Sequence, residues 1–163
     1  NTIRREPDGR LIGNMFDGLG FVAGLRSQGH DPTGKKVLLF GAGGAPGAIA
    51  FALADSGVSL LSIANRTKEK AQQILDRVAA SYPNLALQSV EADPGGYDLI
   101  INSTSLGMDP EDPLPIAVPE NLTPEMIVAD IIMKPEMTLL LKTAKSRGCH
   151  IHYGRHMLDQ QIQ

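Results

Sequence analysis

The sequence predicts a doubly wound α/β fold: a parallel sheet with helices packed on both faces. Two observations carry this expectation. Short apolar runs without a polar face, suited to strands covered on both sides, recur between stretches of helical spacing. The composition agrees: 42% of the 163 residues are hydrophobic, only 4% are aromatic, and Trp is absent. A core built from aliphatic side chains, Ala and Gly suits a tightly wound α/β sheet better than a β-sandwich. The length fits one domain, or one domain with a fragment of another.

The elements follow in order. Residues 3–12 enclose Pro7-Asp8-Gly9, a turn signal between two short apolar pieces, and predict a small hairpin. Beyond Asp17, which is placed to cap or precede a helix, Leu19, Phe21, Val22 and Leu25 have helical spacing. Residues 27–34 are polar and turn-rich, a linker. Val37-Leu38-Leu39-Phe40 reads as a buried parallel strand, and a glycine-rich turn over 41–47 leads into a small-residue helix over 48–53. A second strand is expected over 58–63. An amphipathic helix follows over 68–80, with Ala71, Ile74, Leu75 and Val78 inward. Further strands are expected over 85–90, 98–101, 126–132 and 150–153, with a helix over 138–147 and the start of another from Met157. Residues 1–16 then form the edge of a preceding domain and the hairpin, and residues 17–163 a nucleotide-binding domain cut short in its last helix.

Several classes are disfavoured. The net charge is −3 and no run of Lys or Arg stands out, which argues against nucleic acid as a partner. Cys149 is the only cysteine, so an internal disulfide and a Cys-cluster zinc site are excluded, and a reducing cytoplasm is the natural location. No apolar run reaches the ~18 residues a membrane span needs. The chain begins at Asn1-Thr2 without Met, which suggests a piece of a longer protein. Alternation on a strand would put His150 and His152 on one face, with His156 nearby, but no carboxylate or cysteine cluster completes a set, so no metal is expected. Cys149 reads as a small buried hydrophobe. Met108, Met133 and Met157 read as packing residues, with the lining of an apolar nicotinamide pocket as the alternative. Residues 109–113, with two prolines among three acids, read as a solvated loop.

Gly41-x-Gly43-Gly44 lies between a predicted strand and a predicted helix, the context of a Rossmann-type dinucleotide site. Glycines there permit a tight turn and let backbone N–H groups approach a pyrophosphate at the helix N-terminus. Pro46 takes the third position of G-x-G-x-x-G, with Gly47 one place later, and such a turn alone fits an ordinary strand–helix connection equally well. The next strand decides between the two. An NAD site carries Asp or Glu ~20 residues downstream for the ribose 2′-hydroxyl. Here the strand ends in Asn65-Arg66-Thr67, with Lys68 and Lys70 behind it. These groups suit a 2′-phosphate, so NADP is the expected cofactor. The bland alternative is a solvated helix start, but cations there oppose the helix dipole.

Taken together the motifs resemble the shikimate dehydrogenase family along nearly the whole chain. Its Gly-x-Gly-Gly-Ala loop appears as Gly41-Ala42-Gly43-Gly44-Ala45, and its Asn-Arg-Thr signature as Asn65-Arg66-Thr67, with Lys70 as a further cation. Its Asn-x-Thr-x-x-Gly-Met segment near the nicotinamide appears as Asn102-Ser103-Thr104-Ser105-Leu106-Gly107-Met108, and its closing Gly-x-x-Met-Leu-x-x-Gln as Gly154 to Gln161. The resemblance implies that Gly41 to Ala45, Asn65, Arg66, Thr67, Lys70, Asn102, Ser103, Thr104, Ile131, Gly154 and Met157 line the cofactor. It implies that Asn1 and Asp17 touch the substrate hydroxyls and that Gln161 approaches the same ring. Asp17 would also partner a catalytic lysine belonging to an N-terminal substrate domain that this chain does not contain, so no lysine here takes that role. The implied activity is NADP-dependent interconversion of 3-dehydroshikimate and shikimate, in chorismate and aromatic amino acid biosynthesis, by a monomer or homodimer acting on a cyclic hydroxy acid.

Two departures bear on the substrate. Met15-Phe16 replaces the family's Asn-Thr before the aspartate, and Met133 stands at a frequent Tyr position. Fewer polar partners beside the ring leave a quinate dehydrogenase-like enzyme open. For this chain alone, a non-catalytic NADP-binding module is also open. A different Rossmann oxidoreductase would leave Asp17 and Gln161 without a purpose.

Overall fold

The computed structural model describes residues 2–14 and 17–159. The chain opens with an antiparallel hairpin of β1 (Thr2–Arg5) and β2 (Leu11–Asn14), turned at Pro7-Asp8-Gly9 where Gly9 takes a positive φ of 87°. Helix α1 (Asp17–Ser27) leads through the expected linker to β3 (Lys36–Phe40). Helix α2 (Gly44–Asp55), β4 (Leu60–Ala64), α3 (Lys68–Ser81) and β5 (Ala86–Ser89) complete the first half. In the second half, β6 (Leu99–Asn102) is followed by a short 3-10 turn at Pro119–Asn121 and β7 (Ile127–Asp130). Helix α4 (Leu139–Ser146), β8 (His150–His152) and α5 (Arg155–Asp159) end the described chain.

The six strands β3 to β8 form one parallel sheet in the order β5-β4-β3-β6-β7-β8. This is the Rossmann arrangement, in which strand order reverses between the first and fourth strands. Period-two alternation divides the core between the two faces of the sheet. Val37 and Leu39 join Phe21, Leu25, Ile49, Leu53 and Ile74 under α1, α2 and α3, with Met157 of α5 in the same cluster. Leu38 and Phe40 join Ile100, Val128, Leu140 and Leu141 under α4. Ala71, Ile74, Leu75 and Val78 of α3 are all buried, as the helical spacing predicts.

Three local expectations are corrected. Helix α2 starts four residues earlier than the small-residue run suggests, because Gly43 is its N-cap and Pro46 fits within its first turn. Leu19 is 61% exposed although it continues the apolar spacing of α1. That helix is held by close backbone approach as well as by an apolar stripe. A Cβ at Gly18 would lie 2.2 Å from the Ala48 carbonyl oxygen, and one at Gly24 2.8 Å from that of His156. Helix α5 begins at Arg155, two residues before the expected start.

All four histidines of the chain gather where α1, β8 and α5 meet. The His152 ring lies 4.9 Å from that of His156 and 6.3 Å from that of His30, and it meets Phe21 edge-on. It is 1% exposed, and neither ring nitrogen has a hydrogen-bond partner among the described residues. Burial, then the nearby charges of His156 and His30, push its pKa down from 6.5 to about 4. Burial lowers His30 and His156 as well, helped by His150 and Lys35 at the first and by Arg155 at the second, while Asp159 and Glu136 oppose the shift at His156.

The folded state therefore binds these protons less readily than the unfolded chain. The stability contributed by neutral His152 is complete above pH 6.5 and is lost as pH falls from about 6.5 towards 4. A pH series of thermal denaturation will show this fall. His152→Phe, which keeps a flat ring beside Phe21, will reduce the slope by about one proton.

Candidate cofactor and active site

The strand-order reversal places a crevice beyond the C-terminal ends of β3 and β6, where open α/β sheets bind ligands. The two ends are tied directly: the Ser103 N–H donates to the Phe40 carbonyl at 3.0 Å, and the Ser103 hydroxyl donates to the same oxygen. Gly41 takes φ +107°, and a Cβ there would stand 3.1 Å from Ser103 Oγ and 3.3 Å from Pro46 Cγ. Both the conformation and the space require glycine. Its N–H donates to the Ala64 carbonyl at 3.0 Å, which fixes the loop to the end of β4.

Gly43 and Gly44 are exposed, and Ala42 and Ala45 are half-buried beside them. A Cβ at Gly43 would meet nothing nearer than 4.0 Å, so open space lies over the start of α2, and among the described residues no side chain caps that helix. The N-terminus of α2 thus presents backbone donors and its dipole to the crevice.

On the β4 side, Asn65 Nδ2 donates to the Thr67 carbonyl at 2.8 Å and shapes the turn that begins α3. Asn65 and Arg66 line a cavity of about 490 Å³ with Phe40, Ala64, Val90, Glu91, Thr104 and Leu106. Arg66 and Lys70 are exposed, whereas Lys68 is paired with Glu91 at 2.6 Å. The missing-acid expectation holds at the end of β4 itself, but Glu91, just beyond β5, brings a carboxylate to the same cavity.

On the other side, Asn102 and Asp130 end β6 and β7, and both are wholly buried. Asn102 Nδ2 donates to both carboxylate oxygens of Asp130 at 3.2 Å and to the Leu106 carbonyl at 3.0 Å. Its Oδ1 accepts from the Thr104 N–H and hydroxyl at 3.1 and 2.7 Å. Asp130 also accepts from the Ile132 N–H at 3.0 Å and from the Thr138 hydroxyl at 2.8 Å. Thr138 in turn caps α4 by accepting from the Leu141 N–H. Burial raises the Asp130 pKa, while its hydrogen bonds from Ile132, Thr138 and Asn102 pull it back. Asp112 accepts from the N–H groups of Gly107 and Asp109, so the acidic loop carries an anchor as well as solvated charge.

Beyond β7, Ile131 is half-buried, and a Cβ at Gly154 would stand 2.5 Å from the Ile132 carbonyl oxygen and 2.7 Å from that of Ile131. Gly154 therefore brings the turn into α5 against this segment. Met157 is a core residue, 8% exposed, as is Cys149, whose thiol donates to the Thr123 carbonyl at 3.2 Å. Met108 and Met133 are not packing residues: they are 61% and 37% exposed, on loops leaving β6 and β7 beyond the sheet. Asp17 is half-buried at the first residue of α1. The next residues, Gly18 and Leu19, share a groove of about 450 Å³ with Gly43 and Gly44. Asn1, Met15, Phe16 and Gln161 lie outside the described residues.

With this geometry, the match to a family model over residues 25–108, described as shikimate / quinate 5-dehydrogenase and covering just over half of the chain, is decisive. The chain belongs to this family. A shikimate dehydrogenase (NADP(+)) of Bacillus cereus (strain G9842) is 43% identical over 167 residues, covering 99% of this chain and 59% of the relative. Shikimate 5-dehydrogenase from Listeria monocytogenes, solved in complex with shikimate and NAD, matches with a TM-score of 0.89 and 32% identity over 99% of this chain and 59% of its own. The ligand-free 5-ketofructose reductase of Gluconobacter sp. strain CHM43 matches at 0.84 and 37%, over 98% and 58%. The chain thus spans less than two thirds of the family members it matches. Among its described residues no helix is long and apolar enough to cross a membrane.

Sequence reasoning passed over Asp130, Thr138, Asp112 and the Lys68–Glu91 pair. An acid closing an apolar strand and a Thr opening a helix were the available signals for the first two. The other two depend on loop geometry.

The carboxylate of Asp130 is surrounded only by donors, so an amide in its place must point an NH₂ group at one of them. Asp130→Asn will lower unfolding free energy by about 2 kcal/mol, read by urea denaturation. A change below about 0.5 kcal/mol, the range of ordinary surface substitutions, would show that the network is not holding the loops.

Proposed function

We propose that this chain is the cofactor-binding part of an NADP-dependent dehydrogenase acting on a cyclic hydroxy acid, with the shikimate–3-dehydroshikimate pair as the leading substrate. The observation that carries the cofactor is the cation-bearing end of β4, Asn65 to Lys70, beside the 490 Å³ cavity at the strand-order reversal. The substrate rests on the family and its relatives.

The residues present fit a dinucleotide. Open space over Gly43 and the start of α2 suit a pyrophosphate. Arg66, Thr67 and Lys70 are assigned to the 2′-phosphate, with Asn65 shaping their turn. Asn102, Ser103, Thr104, Ile131, Gly154 and Met157 are assigned to the nicotinamide side, Gly154 and Met157 by positioning the backbone beside Ile131. The chemistry a bound nicotinamide would supply is hydride transfer at the ring carbon that bears the hydroxyl. Asp17 is assigned to hold a substrate hydroxyl and so to orient that carbon, with Asn1 and Gln161 as further ring contacts.

Exposed Met133 and the family's description as shikimate / quinate 5-dehydrogenase favour a second reading of the substrate, as quinate or a related cyclic hydroxy acid. A turnover panel of shikimate, quinate and 5-ketofructose with the full-length protein separates the readings. Turnover of shikimate is expected, and inactivity on every cyclic hydroxy acid would defeat the proposal.

For the cofactor, NADPH will bind more tightly than NADH in a direct titration. Arg66→Ala will weaken NADPH by roughly tenfold or more, the loss of one charge-assisted contact, and leave NADH within about twofold. Equal affinities in the unmodified protein would sink the 2′-phosphate assignment.

A further inference from the structure

One feature of the cofactor cavity runs against its proposed ligand. Glu91 lines the same cavity as Arg66, and a carboxylate beside a 2′-phosphate site repels the phosphate. Backbone geometry keeps it there, because the Val90 N–H donates to the Ile63 carbonyl at 3.0 Å and holds the end of β5 against β4. Lys68 meets it at 2.6 Å from the first residue of α3. A lysine at a helix N-terminus opposes the dipole, so its own helix gives it no reason to be there. The pair is exposed on both sides, 68% and 80%, and such pairs add little to fold stability. What it changes is the charge seen from the cavity.

We infer that the Lys68–Glu91 ion pair sets the dinucleotide preference of this chain, with Lys68 acting as a mask that cancels Glu91. Arg66 and Lys70 remain for the 2′-phosphate, while Lys68 contributes by neutralising Glu91, the one carboxylate lining that wall among the described residues. Contact between the two partners lowers the pKa of Glu91 and raises that of Lys68. Unmasked, Glu91 would disfavour a 2′-phosphate and leave a 2′-hydroxyl almost untouched, since only the former carries charge. Lys68 is therefore a specificity-determining residue that acts through Glu91. This inference rests on the assignment of the 2′-phosphate to the end of β4.

The test is a double-mutant cycle in the whole chain, with NADPH and NADH dissociation constants measured at low salt for the unmodified protein, Lys68→Gln, Glu91→Gln and the double variant. Unchanged melting temperatures in all four confirm that only the surface charge differs. Lys68→Gln is expected to weaken NADPH by roughly three- to tenfold, the size of one unscreened charge near a surface, and to leave NADH within about twofold. Glu91→Gln will bind NADPH at least as well as the unmodified protein, and the double variant will return to near its affinity. High salt will shrink these differences.

An unchanged NADPH-to-NADH ratio in Lys68→Gln would overturn the mask while leaving the 2′-phosphate assignment standing. So would a double variant as weak as Lys68→Gln, because Lys68 would then touch the phosphate itself. Equal affinity for both dinucleotides in the unmodified protein would overturn the assignment, and the mask with it.

Discussion

A buried carboxylate that meets only donors can have one orientation, and Asp130 uses this to organise the C-terminal edge of the sheet. Its oxygens receive the Asn102 amide, the Ile132 N–H and the Thr138 hydroxyl, so β6, the chain leaving β7 and the start of α4 share one acceptor. Asn102 then uses its other atoms to set Thr104 and Leu106. Burying such a group costs free energy unless every lone pair is satisfied. Here the cost is offset by bonds that fix three segments at once.

The opposite wall follows a different logic. Gly41 and Ser103 meet at contact distance, and the loop at Gly41 is fixed to β4 through the Ala64 carbonyl. Apart from the Ser103 hydroxyl on the Phe40 carbonyl, this wall rests on the absence of a Cβ and the reach of backbone groups. One wall is specified by polar satisfaction and the other by closeness. Between them lies the crevice at the strand-order reversal.

Much of this fold could be read from the residues. Val37 to Phe40 and Leu99 to Ile101 are apolar on both faces, so they had to be interior parallel strands, and the inward stripe of α3 had only one consistent phase. Arg66 in place of an acid pointed to the cofactor. What escaped depends on partners distant in sequence. Glu91 and Lys68 meet only because β4 and β5 pair, and His30 joins His150, His152 and His156 only once α1 lies across the sheet. Leu19 misled because the spacing rule assumes that side chains hold α1, whereas Gly18 and Gly24 bring its backbone into contact with α2 and with His156 of α5. Met108 and Met133 misled for the converse reason: apolar character suggests packing, but they sit where the layers end.

The start of α2 has a thermodynamic consequence of its own. A helix that opens on Gly43 has an N-cap residue with no side-chain acceptor, which leaves the donors of its first turn open to solvent or to an anion. Occupancy and folding are then linked functions. Any ligand that binds the folded loop and not the unfolded chain raises stability by RT ln(1 + [L]/Kd), about 2.7 kcal/mol at a hundredfold excess over Kd. The melting temperature of this chain thus becomes a gauge of how full the loop is, and the glycines that look like a weakness in the helix are what make the gauge responsive.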